Sequence, residues 1–173
     1  MNTNNNHIST INMTYSVAFL AAEGFQLKHD FIIKELTLMY TNNEFYHARY
    51  CLPDNNCVLD AQDRKTIKFT ETYLCQLDFD DGEVPYNILM GQIRKLEKHT
   101  IFCYGVQLKN KIQLYIPNTN VINIQDFGFK LPKTLLTADC GRNHNPRYCS
   151  LAKAYAIKSH VHNNQAIFGN TFF

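Results

Sequence analysis

The chain has 173 residues, 45% hydrophobic and 18% charged, with 12 Phe and 10 Tyr. That is enough apolar side chain for one hydrophobic core, and it excludes disorder over most of the length. Seventeen basic and 15 acidic residues leave a net charge of +2, which excludes a strongly basic nucleic-acid wrapper and leaves room for a local basic patch.

The polar, Asn-rich run 1–12 reads as a flexible arm, the folded domain as 13–162 and residues 163–173 as a tail. The opening run lacks the apolar core of a secretory leader, and Val17 to Ala22 is far shorter than the ~20 residues of a membrane span. The expectation is an intracellular protein of cytoplasm or nucleus, with no membrane partner and with reduced thiols.

Tyr15 to Leu20 is β-prone and is expected to end in a turn or bulge at Gly24. Phe31 to Tyr40 predicts a second strand interrupted by Lys34-Glu35, and Glu44 to Cys51 a third, joined through Thr41-Asn42-Asn43. Past Pro53 the period lengthens. Helices are predicted over Ala61 to Gln76 and, with a clear amphipathic stripe, over Tyr86 to Lys98. Ile101 to Tyr104 is a short apolar strand, Gln107 to Tyr115 a helix, Val121 to Ile124 a strand, Leu131 to Thr137 a short helix and Arg147 to His160 the closing helix. Three antiparallel strands followed by alternating strands and helices predict an α/β fold, a mixed sheet flanked by helices, in the order of a ribonuclease H-like domain.

The richest chemistry lies in six cysteines and seven histidines. Cys140, His144 and Cys149 form a C-x3-H-x4-C run entering the last helix, a spacing that lets two thiolates and an imidazole converge on one zinc ion. The alternative is two reduced thiols and a solvated histidine. Glu23, beside Gly24, is the candidate fourth ligand, against an ordinary strand-end carboxylate. Lys109, Lys111, Arg142, Arg147 and Lys153, with Tyr148, are candidates to contact phosphates and stack bases, against an ordinary mixed surface. The acidic loop Asp78 to Glu83 matches no calcium-loop spacing and reads as solvated. His160 and His162 read as a solvated helix end, and Cys51, Cys57, Cys75 and Cys103 as partly buried thiols.

Exonucleases of the DEDD type carry D-x-E on the first strand and H-x-A-x-x-D-A at the last helix, and their acids hold two metals. Here Ala21-Ala22-Glu23 lacks the first acid, and in Tyr148 to Ala154 tyrosine stands for the base and Lys153 for the aspartate. This degenerate pattern with its Glu-Cys-His-Cys set resembles the Maelstrom domain, as a stand-alone divergent relative. The resemblance implies a ribonuclease H fold, structural zinc on Glu23, Cys140, His144 and Cys149, and single-stranded RNA binding, with RNA cleavage in some members. It also implies a role in RNA silencing and transposon control, with a silencing-pathway protein as partner. Two alternatives stand beside it. One is a working exonuclease or ribonuclease, with Glu35, Asp78 or Asp126 as the missing acid. The other is a viral or mobile-element interaction module that does not touch RNA.

Overall fold

The computed structural model describes residues 16–51, 59–74, 76–133, 135, 140 and 146–168. The arm 1–12 therefore lies outside the described residues, as do Cys57 and Cys75.

Strand β1 (Ser16–Gln26) pairs antiparallel with β2 (Phe31–Tyr40), which pairs antiparallel with β3 (Phe45–Arg49). Helices α1 (Ala61–Phe69) and α2 (Asn87–Arg94) lead to β4 (His99–Cys103), which lies parallel to β1. Helix α3 (Val106–Tyr115) leads to β5 (Val121–Asn123), parallel to β4, and α4 (Ser150–Asn163) and α5 (Gln165–Phe168) close the chain. The sheet order is β3-β2-β1-β4-β5. This is a mixed five-stranded α/β sheet flanked by helices, compatible with a ribonuclease H-like fold. No helix among the described residues is long and apolar enough to cross a membrane.

Alternation along the strands sorts the sheet into two apolar faces. Ala18, Leu20, Leu36, Leu38, Ile101 and Cys103 meet Leu89 and Ile93 of α2 and Leu108 and Ile112 of α3. Val17, Phe19, Ala21, Met39 and Phe102 meet Ala154, Ile157 and Val161 of α4, with Phe168 of α5 closing over them. Phe102 lies edge-on to Phe168 at 5.2 Å, so the core continues past position 163. A third cluster joins Phe25 and Ile32 to Ile67 of α1 and to Leu77 and Phe79. Each fully buried large side chain contributes about 1.5–3 kcal/mol relative to exposure.

Three expectations are corrected. The bulge expected at Gly24 is there, with the register shifting between Glu23 and Gly24, but strand β1 does not end at it: pairing runs on to Gln26↔Phe31. Gly24 sits so close to β2 that a Cβ there would stand 1.9 Å from the Ile32 carbonyl oxygen, so only glycine lets the strand continue through the bulge. The short helix at Leu131 is absent over the described residues 131–133, because Pro132 biases the residue before it toward extended backbone. His160 is not a solvated end: its ring lies 4.4 Å from that of Phe129 and 6.1 Å from that of Phe168.

The acidic loop also has partners. The fully buried Lys34 donates from Nζ to the carbonyls of Phe79 at 2.8 Å and Asp81 at 2.5 Å, while Arg49 pairs with Asp81 and Glu83. Burial holds the Lys34 ammonium below its usual range.

Candidate functional site

Alternation from Val17, Phe19 and Ala21 puts Glu23 on the face that α4 covers, directly opposite Glu35 of β2 and just before the bulge. Like charges facing one another across a strand pair are destabilising, so each carboxylate needs its own compensation. Glu35 is fully buried and caps the helix from a distant strand: its Oε1 accepts the Ser150 backbone N–H at 2.8 Å and the Ser150 hydroxyl at 2.8 Å. The first amides of a helix lack intrahelical partners and carry the positive end of its dipole, so a carboxylate is favoured there. Cys149, the N-cap residue itself, makes no side-chain capping bond.

Glu23 is 8% exposed and is met by the Lys153 ammonium one turn into α4. Burial pushes its carboxyl up to about 7, against the lowering effect of Lys153 and with a further push from Glu35.

The polar contacts continue outward. Thr37 Oγ1 lies 2.8 Å from Ser150 Oγ and 2.8 Å from His47 Nδ1, which is itself 3.4 Å from Ser150 Oγ. Ser150 gives its only hydroxyl hydrogen to Glu35, so the Thr37 hydroxyl must supply the hydrogen between the two hydroxyls. His47 Nδ1 then carries the hydrogen donated to Thr37. The result is a directed chain from His47 through Thr37 and Ser150 to Glu35, with Ser150 sealed from solvent. This network is a brace beneath the helix and offers no accessible nucleophile.

Cys149 is buried and its thiol is in hydrogen-bond contact with that of Cys140. Burial pushes the Cys149 thiol up to about 12, helped by the nearby Glu35 and Cys140. His144 and Arg142 lie outside the described residues. Among the described residues, no three His, Cys, Asp or Glu side chains form a metal-holding group.

The other proposed RNA contacts are dispersed. Lys111 is buried, donates to both carboxylate oxygens of Asp30 at 2.5 and 2.8 Å, and lies over the Tyr115 ring. Lys109 faces Asp126 at 3.8 Å. Lys153 is turned inward to Glu23. Arg147 is exposed, and the half-buried Tyr148 packs against the Phe25 and Ile67 cluster. The acids considered for a working nuclease also have protein partners: Glu35 takes Ser150, Asp126 accepts from Asn123 at 3.0 Å, and Asp78 accepts from the Asp80 amide at 2.9 Å.

No family model and no curated protein matches this chain.

The residues that sequence reasoning passed over are Thr37, His47 and Ser150. A signal was present: Glu35 and Thr37 alternate on one face of a strand whose other polar residue is Lys34, and buried polar groups are nearly always hydrogen-bonded. Nothing local names the partner, which comes from 115 positions away.

Proposed function

We propose that this chain is a catalytically degenerate exonuclease-like domain of Maelstrom type that binds single-stranded RNA in RNA silencing, stapled by a structural zinc ion on Glu23, Cys140, His144 and Cys149. The observation that carries the reading is the Lys153 ammonium on the Glu23 carboxylate. Two-metal nucleases need converging carboxylates at this place. Here an alanine at position 21 and a lysine at 153 remove two negative charges and add a positive one. Glu35, the other acid on this face, is committed to the α4 amide.

The donor set suits zinc better than magnesium or calcium, because thiols are soft ligands. Cys140 and Cys149 pack on one cluster beside the start of α4, where both thiolates would serve as zinc ligands. Lys153 takes Oε1 of Glu23 and leaves Oε2 as the donor atom, an arrangement in which the lysine orients the ligand. Glu23, Cys140, His144 and Cys149 would hold the ion with four protein ligands, so its contribution when bound would be structural, with no position left for a reacting water. Holding it, Glu23 and Cys149 would join β1 to the start of α4.

Metal analysis of the purified protein tests the staple. One zinc per chain is expected, falling to well under half in Cys149→Ser, and absence of zinc from the unmodified protein overturns it. Incubation with labelled single-stranded RNA tests the activity. Binding without turnover is expected, and cleavage abolished by a chelator overturns the degenerate-site reading.

A further inference from the structure

Helix α1 and the wide turn that extends it (Thr70–Leu74) carry a solvent-facing surface that the cysteine loop does not explain. Phe69 is 53% exposed and Tyr73 69%, and their rings form a pair with centroids 5.3 Å apart and planes tilted by 43°. The turn is of π type, the rare widening that recurs at functional sites. Lys65 stands one helical turn before Phe69 and Lys68 next to it, with Arg64 further round the helix, all exposed. None of the three makes an ion pair or side-chain hydrogen bond among the described residues.

The acids of the same segment are all spent elsewhere. Asp60 caps the helix through the Asp63 amide at 2.7 Å and faces Lys28. Asp63 is buried and accepts the Lys28 amide at 3.0 Å, and Glu71 accepts the Phe79 amide at 2.7 Å. The segment therefore presents three cations that have no acidic partner among the described residues, together with two aromatic rings, on a hydrogen-bonded base. Those acid-to-amide bonds and the buried Ile67 hold that base.

We infer that this face of α1 is a stacking platform for single-stranded nucleic acid. The inference rests on the RNA-binding reading above and moves the contact onto residues outside the cysteine loop. Bases stack on exposed rings whatever their sequence, and phosphates take the cations. A lipid surface fits less well, because the exposed apolar groups of α1 and its turn are the two rings, while Ile67 faces inward.

The test is fluorescence anisotropy of a fluorescein-labelled oligouridylate across a series of salt concentrations. The full chain is compared with Phe69→Ala/Tyr73→Ala, with Arg64→Ala/Lys65→Ala/Lys68→Ala, and with Leu114→Ala on the exposed face of α3 as control. All changed side chains are exposed, and circular dichroism checks that each variant is folded. The ring variant is expected to bind about tenfold or more weaker at every salt concentration. The cation variant is expected to lower the slope of log K against log salt by about 2, at ~0.7 per phosphate contact, and Leu114→Ala to bind as the parent does. If the parent binds and both α1 variants bind equally well, the platform is refuted and the RNA-binding reading survives. If the parent does not bind at all, both fall. Binding to phosphatidylserine vesicles that is lost in these variants, with RNA binding unchanged, also overturns the nucleic-acid assignment.

Discussion

Ser150→Ala removes a hydroxyl with three polar neighbours: Glu35 Oε1 and Thr37 Oγ1, each at 2.8 Å, and His47 Nδ1 at 3.4 Å. The Glu35 carboxylate keeps the Ser150 amide but loses its second donor from this residue, a bond to an acidic group worth about 1.5–3 kcal/mol. The Thr37 hydroxyl loses its acceptor and can turn to His47 only if Nδ1 gives up its hydrogen. Alanine recovers about 0.5 kcal/mol through better helix propensity, leaving a net loss of about 2 kcal/mol. For a chain of this size that corresponds to a fall of about 4–8 °C in Tm. Urea unfolding followed by far-ultraviolet circular dichroism measures it directly, alongside Thr37→Val and the double variant. The double variant is expected to lose less than the sum of the singles by at least about 0.5 kcal/mol, since both act on one chain of bonds. A Ser150→Ala variant within about 0.5 kcal/mol of the parent, or strict additivity, refutes the brace.

Gly24→Ala drives a Cβ into the Ile32 carbonyl and is expected to cost about 3 kcal/mol or more, read as loss of folded yield. Gly91→Ala in α2, where nothing lies within 4 Å, is expected to gain about 0.5–1 kcal/mol. Asp30→Asn removes the partner of Lys111, whose ammonium the carboxylate holds above its usual 10.5 despite the opposing effect of burial. A raised cation stabilises the fold fully below its unfolded value, and that contribution fades as pH rises through the folded one. Because Asp30 is half exposed, the loss is expected near 1 kcal/mol, constant between about pH 6 and 9 and shrinking above 10.5. A difference that persists unchanged in strong alkali contradicts the pairing. Phe168→Ala is expected to lose about 3 kcal/mol in urea unfolding, because the ring packs against Phe102 and Phe127 at 5.2 Å. A neutral outcome shows that the core ends before α5.

Much of the architecture was legible because it is written in local periods. Strand β2 spans Phe31–Tyr40 as its apolar run predicts, and α3 begins at Val106, one residue before the predicted start. The amphipathic stripe before Lys98 became α2 with a continuing turn. The last helix began later than predicted, at Ser150, because Pro146–Tyr148 forms a short 3-10 turn ahead of it. At the site, the cysteine spacing announced a loop entering a helix, and Cys140 and Cys149 do meet there. Lys153 was read both as the lysine in a metal-binding position and as a phosphate contact, and the fold turns it inward to Glu23.

The sequence by itself determined which residues form strands and helices and which carry the chemistry, because hydrophobic period, glycine and proline act over a few residues. Only the tertiary structure decided who faces whom. It set Glu23 against Glu35 in the register of β1 and β2, then brought Lys153 to one carboxylate and the α4 amide to the other. The physical reason is burial: two acids forced together away from water must each find a positive partner, and the partners available were those that packing α4 on this face delivered.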